Sequence, residues 1–139
     1  MGDDYFFFCD YRDVVGIADG VGGWKKRGVD AGQYARELML NAEAFIQTLP
    51  IESNINLRNV LNEAFLRTKS RGSSTACIAS LEKDPKDGKY SLHALNVGDS
   101  GFMILRNNMV VFQSPIQEHE FNHPYQLGNG GDKIGRAHV

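Results

Sequence analysis

The sequence predicts a mixed α+β domain in which two helices pack on antiparallel strands. Short apolar runs rich in aromatic and β-branched residues begin the chain, two stretches with apolar residues at helical spacing follow, and further strand patterns come afterwards. Short runs of those residue types are typical of strands, whereas apolar positions three or four apart indicate amphipathic helices. The strands come before and after the pair of helices in the sequence and do not alternate regularly with them. This order favours the α+β class.

Two strands are predicted near the start of the chain, over residues 5–8 and 14–18, with residues 10–13 as the turn between them. Both runs are almost continuously apolar, so we expect these strands to be buried on both faces. A charged loop at residues 83–88 and the pair Asn107-Asn108 supply later hairpin turns. The later strands are predicted over residues 75–81, 90–97, 102–106 and 109–112.

Two helices are predicted between these groups of strands. The first begins after Asp30, a favourable N-cap residue, and ends before Pro50, which cannot continue a helix. The second covers about residues 56–69. The residues expected to face the core are Ala35, Leu38, Ala42, Phe45 and Ile46 in the first helix and Leu57, Val60, Leu61, Ala64, Phe65 and Thr68 in the second.

Composition and charge exclude several classes of function. The 139 residues fit one domain, and the net charge of -2 gives no field that would attract nucleic acid or an anionic membrane. No apolar run approaches the roughly 18 residues of a membrane span, and no glycine-rich phosphate-binding loop with a lysine is present. Cys9 and Cys77 lie far apart in apolar runs, so we expect buried thiols and no disulfide.

Three acidic segments are candidates for chemistry. Asp19 ends a predicted strand before a glycine-rich turn, an arrangement that suits a hard cation, although an ordinary tight turn explains the same pattern. Asp3 and Asp4 have two interpretations. They form a solvated start of the chain, or they lie beside Asp19 if the first two strands are antiparallel neighbours. Asp99, in another glycine turn, either serves a site or shapes its turn. Clustered carboxylates repel one another unless protons or cations intervene, and Mg²⁺ or Mn²⁺ suits them better than Zn²⁺.

Four motifs, in this order along the chain, resemble those of the PP2C-type (PPM) protein phosphatases. They are Asp3-Asp4, residues 18–24 (Ala-Asp-Gly-Val-Gly-Gly-Trp), residues 72–76 (Gly-Ser-Ser-Thr-Ala) and residues 96–101 (Asn-Val-Gly-Asp-Ser-Gly). The form of the second motif, with Gly-Val-Asp at residues 28–30, is similar to the mitochondrial PTC7 branch, as are residues 121–127. The resemblance implies an α-β-β-α sandwich of antiparallel sheets flanked by helices, with the C-terminal half missing here.

The resemblance also implies a site for two Mn²⁺ or Mg²⁺ ions. It assigns Asp19 as a bridging ligand and the Gly20 carbonyl as a ligand of one ion. It assigns Asp3 and Asp4 to completing the ligand set or holding its waters, and it matches Asp99 to a family aspartate of a weaker third metal. The implied reaction is hydrolysis of phosphoserine and phosphothreonine in proteins by a metal-activated water.

The chain departs from the family pattern in two ways. Val21 stands where many members have a histidine proposed to protonate the leaving group, so the general acid has no assignment. The sequence also lacks the family's C-terminal metal-binding aspartates and the arginine that grips phosphate.

We expect residues 1–127 to be the N-terminal part of a PP2C-type domain and residues 128–139 to be a tail outside the family, with residues 128–131 as a loop. Residues 134–139 are also what a nucleotide string resembling a common sequencing adapter would encode, and we hypothesise that origin. The parent protein is expected to be a mitochondrial enzyme acting on phosphoproteins, and this chain alone to be inactive and poorly stable. The alternative is a non-catalytic, phosphatase-derived binding module. The sequence indicates no oligomeric state.

Overall fold

The computed structural model describes residues 2–120 and 122–129. Strands are numbered along the chain. The main sheet is antiparallel and contains, in spatial order, β1 (Asp4–Cys9), β2 (Val14–Asp19), β4 (Ala76–Lys83) and β5 (Tyr90–Val97). The predicted strands 5–8, 14–18, 75–81 and 90–97 are therefore confirmed, with boundaries that differ by at most two residues.

Two helices pack on one face of this sheet, α1 (Ala31–Thr48) and α2 (Leu57–Arg67). The Asp30 side chain accepts a hydrogen bond from the Gly32 N–H at 3.0 Å, which confirms the predicted N-cap. The Asn56 side chain caps α2 in the same way, by accepting from the Asn59 N–H at 3.1 Å. Both helices thus begin where a side-chain oxygen satisfies an otherwise unpaired backbone donor.

The core lies between the helices and the sheet. Strand residues such as Phe7, Val14 and Ile78 are buried against the apolar sides of α1 and α2. The predicted inner face is confirmed for most positions, but it is wrong for Phe65, which is 36% exposed. The predicted helix residues that are buried are Ala35, Leu38, Ala42, Ile46, Leu57, Val60, Leu61, Ala64 and Thr68.

The opposite face of the sheet is apolar and exposed, so the prediction that the first two strands are buried on both faces is wrong for the described residues. Phe6 and Phe8 are 70% and 63% exposed, and their register partners Ile17 and Val15 are 38% and 42% exposed. Strand side chains alternate between faces, and only one set meets the helices. We call the other side the outer face, which comprises Phe6, Phe8, Val15, Ile17, Leu81 and Leu92.

The remaining strands form small two-stranded sheets. Asn107 and Asn108, with φ of 51° and 62°, make the predicted turn between β6 (Met103–Arg106) and β7 (Met109–Gln113). β8 (Glu118–Glu120) pairs with β9 (His123–Pro124), and β3 (Gly72–Ser74) pairs with β10 (Leu127–Asn129).

The predicted loop at residues 128–131 is wrong for Gly128 and Asn129, which lie in β10 opposite Ser73 and Gly72. Residues 130–139, including the segment with the hypothesised adapter origin, lie outside the described residues, and the boundary at residue 127 stays a prediction. None of the helices in the described ranges is long and apolar enough to cross a membrane.

Candidate metal centre

Asp4 and Asp19 face each other at one end of the main sheet. They are direct partners in the register of β1 and β2, because Asp4 begins one strand and Asp19 ends its antiparallel neighbour. Their side chains can hydrogen-bond to each other when one of them carries a proton. Partial burial, followed by this hydrogen bond and the charges of Asp4, Asp99 and Asp3, raises the pKa of Asp19 to about 6. The predicted meeting of the two carboxyl groups is confirmed.

Asp3 lies beside this pair and forms a salt bridge with Lys25. Its Oδ2 atom is 2.8 Å from the Nζ atom of Lys25, and its backbone carbonyl accepts a hydrogen bond from the Gly20 N–H at 2.9 Å. Sequence reasoning missed Lys25. The available signal was the run of three basic residues at positions 25–27, directly after the acidic turn.

Gly20 occupies a position where no other residue fits. A Cβ atom there would lie 2.0 Å from the carbonyl oxygen of Ala31 and 2.7 Å from that of Asp3. Both neighbours are backbone atoms and cannot rotate away. The glycine therefore allows the start of α1 to approach the acidic turn closely.

Thr75 positions Asp19. The Thr75 N–H donates to the Asp19 carbonyl at 3.0 Å, and the Asp19 N–H donates to the Thr75 hydroxyl at 3.2 Å. The same hydroxyl is 2.6 Å from that of Ser100, which follows Asp99. These contacts hold the Asp99 turn beside Asp19, where the charge of Asp99 contributes to the raised pKa.

Trp24 anchors the other end of the acidic turn. It is 2% exposed, and its indole N–H donates to the Ser73 hydroxyl at 2.7 Å. That hydroxyl in turn donates to the Gln126 side-chain carbonyl. The guanidinium carbons of Arg27 and Arg71 lie 5.5 Å and 5.9 Å from the indole centroid, within cation–π range.

The donor set suits part of a site for a hard divalent cation. Two adjacent carboxyl groups provide the oxygen ligands that Mg²⁺ and Mn²⁺ prefer, and the repulsion between their ionised forms would be relieved by a cation. Within residues 2–120 and 122–129, however, no group of three or more histidine, cysteine, aspartate or glutamate side chains is arranged to hold a metal ion. The fit is therefore to one side of a site, with Asp4 and Asp19 as its carboxylates.

Comparison with known proteins identifies close relatives, although no protein-family model matches the chain. It is 49% identical over 129 residues to the Arabidopsis thaliana "Probable protein phosphatase 2C 55", a match covering 93% of this chain and 26% of that protein. It is 41% identical over 134 residues to the Drosophila melanogaster "Protein phosphatase PTC7 homolog fig", covering 91% of this chain and 41% of that protein. The chain thus spans less than half the length of these relatives.

A solved structure supports the same relationship. The photosystem II phosphatase PBCP is 36% identical with a TM-score of 0.83, and the match covers 97% of this chain and 50% of that one. The predicted fold class, an α+β part of the PP2C sandwich, is confirmed. Sequence and fold agree that this chain is homologous to part of the PP2C-type protein phosphatases, the PTC7 branch included.

Proposed function

We propose that the full-length protein containing this chain is a metal-dependent serine/threonine protein phosphatase. The observation that carries the proposal is the pairing of Asp4 with Asp19 at the sheet end, in a chain whose relatives are named protein phosphatases. Phosphoserine and phosphothreonine proteins are the proposed substrates. A mitochondrial location is proposed from the similarity to the PTC7 branch.

The proposed roles of the acidic residues follow from their positions. Asp19 and Asp4 hold the divalent cations, Mn²⁺ or Mg²⁺, and the Gly20 carbonyl contributes a backbone oxygen. Asp3, held by Lys25, adds negative charge beside the pair, and Asp99 belongs to a weaker third metal. When bound, two such cations offset charge on the phosphate oxygens and acidify the attacking water.

The protein's own groups orient this centre. Thr75 fixes the backbone of Asp19 through two hydrogen bonds, and Val21 donates its N–H to the Ser73 carbonyl at 2.9 Å. The Val21 side chain carries no proton that it could give to a leaving group. The group that protonates the leaving oxygen therefore has no assignment.

The test is phosphate release by the full-length protein from a phosphothreonine peptide with Mn²⁺. We expect Asp19→Asn to lower kcat/KM by roughly 100-fold or more. Even substitutions of residues that only orient a metal ligand lower metal affinity or activity by about 10–100-fold. The matched control is Asp87→Asn. Asp87 is exposed in the β4–β5 loop and accepts a hydrogen bond from the Lys89 N–H, which the asparagine side-chain oxygen can also accept.

The outcomes separate the enzyme from the alternative. An Asp19→Asn variant with wild-type turnover would refute the proposed role of Asp19. A wild-type protein that binds phosphopeptide but releases no phosphate with either cation would support a non-catalytic binding module. The 139-residue chain should release none, and turnover equal to that of the full-length protein would contradict this.

A further inference from the structure

A group of exposed cations lies next to the candidate metal centre. We call it the basic rim and define it as Lys26, Arg27 and Arg71. All three residues are exposed, and within residues 2–120 and 122–129 none of them forms an ion pair with a carboxylate. The rim therefore presents positive charge to solvent in a chain whose net charge is -2.

The indole of Trp24 holds two members of the rim together. The guanidinium carbons of Arg27 and Arg71 lie 5.5 Å and 5.9 Å from its centroid, so two segments distant in sequence meet over one ring. The ring itself is buried and fixed by its hydrogen bond to Ser73. An arginine stacked on a fixed ring loses less conformational freedom on binding, and its planar fork matches carboxylate and phosphate groups.

Lys25 joins the rim to the metal centre. It precedes Lys26 in the chain, and its ammonium group contacts Asp3, the residue directly before Asp4. Side chains next to a phosphoryl group held at Asp4 and Asp19 are therefore candidates to meet the basic rim.

We propose that the basic rim binds acidic side chains that flank the phosphorylated residue of a protein substrate. This inference rests on the proposed phosphatase function and specifies its substrate preference. Three cations are fewer than the six to ten phosphate contacts typical of strong nucleic-acid binding. Their position beside the metal centre favours a peptide segment over a lipid surface as the ligand.

The experiment compares two phosphothreonine peptides of equal length with the full-length protein and Mn²⁺. One peptide carries glutamates on both sides of the phosphothreonine, and the other carries glutamines. We expect kcat/KM to be roughly tenfold higher for the glutamate peptide at low salt, since several exposed charge pairs contribute modestly each. The preference should shrink in about 0.5 M salt, which screens exposed charges.

Substitutions in the rim test its role. Arg27→Gln combined with Arg71→Gln should bring the ratio of the two kcat/KM values close to one. Because those changes also remove contacts with Trp24, Lys26→Glu is the second variant, and it should lower the ratio without touching the indole. The control is Lys86→Gln, in the β4–β5 loop at the opposite end of the main sheet, which should keep the wild-type ratio.

Four results would overturn the inference. Equal kcat/KM for both peptides would remove the substrate preference and leave the phosphatase proposal intact. A wild-type preference unchanged in both rim variants would place the recognition elsewhere. Equal peptide rates, together with binding to phosphatidylserine vesicles that Lys26→Glu abolishes, would make the rim a membrane contact. Failure of the wild-type protein to hydrolyse either peptide would end the phosphatase proposal, and this inference with it.

Discussion

Asp4 and Asp19 stand directly opposite each other on neighbouring antiparallel strands, where their side chains can share a proton. Two carboxyl groups this close repel when both are ionised, and Asp3 and Asp99 add to the negative charge. The pair is therefore a local source of instability in the metal-free protein and a source of attraction for a cation.

The first prediction concerns metal-dependent stability of the full-length protein. Mn²⁺ should raise the thermal unfolding midpoint of the wild type, and Asp19→Asn should remove most of that shift. In EDTA the variant should unfold at the same temperature as the wild type or higher, because one repelling charge is gone. Asp87→Asn is the control. A full Mn²⁺ shift in Asp19→Asn would contradict the prediction.

The second prediction compares two glycines of the same turn. Gly20→Ala should lower the free energy of unfolding by about 1–3 kcal/mol or more, because its Cβ would meet backbone atoms. Gly23→Ala should cost far less, since the nearest atom to its Cβ is a Val21 methyl carbon at 4.0 Å. Urea denaturation of the full-length variants measures both, and equal losses would show that the approach of α1 to the turn does not set the cost.

The third prediction concerns Arg12, which ties the β1–β2 turn to the loop between the helices. Its guanidinium donates to the carbonyls of Pro50 at 2.9 Å, Ser53 at 2.8 Å and Leu49 at 3.3 Å. Arg12→Gln should therefore cost about 1–3 kcal/mol of unfolding free energy. It should also speed amide hydrogen exchange at residues 50–55.

The control for Arg12→Gln is Arg106→Gln, since Arg106 is an exposed residue at the end of β6. This change should stay within about 0.5 kcal/mol of the wild type. Unaltered exchange at residues 50–55 in Arg12→Gln would mean that the loop is held by other contacts.

The fourth prediction concerns the two thiols. Cys9 and Cys77 are both buried, and burial raises the pKa of Cys77. A raised pKa leaves less thiolate at pH 8, and the thiolate is the reactive form. Both should react slowly with Ellman's reagent in the native protein and rapidly in urea. Cys77→Ser and Cys9→Ser identify which thiol reacts, and fast native labelling of either would contradict the prediction.

The strand pairing at the candidate metal centre was predictable because a short turn between two apolar runs leaves few alternatives to a hairpin. That hairpin brings Asp4 and Asp19 together, and the N-cap at Asp30 was equally local. The contacts of Lys25 with Asp3 and of Trp24 with Ser73 were not predictable. They depend on where a turn, a loop and a distant strand meet in space.

Two of the predictions about the fold were wrong for physical reasons that the sequence pattern does not show. Phe65 has helical spacing typical of a core residue, but it falls at the edge of the stripe on α2, where part of the ring meets solvent. The pairing of Gly128 and Asn129 with β3 gave no sequence signal, because glycine and asparagine are uncommon in strands. The roles of the acidic residues as metal ligands stay predictions until the metal is measured.

The outer face has a further consequence for the acidic pair. Asp4 lies on the same side of β1 as Phe6 and Phe8, and Asp19 lies on the same side of β2 as Ile17. A polypeptide that packs on these apolar side chains also removes water next to the carboxylates and lowers the local dielectric constant. Attraction between the carboxylates and a cation then strengthens, as does their repulsion without one. If the carboxylates bind a cation as proposed, covering the sheet and binding the cation are thermodynamically linked, and each would favour the other.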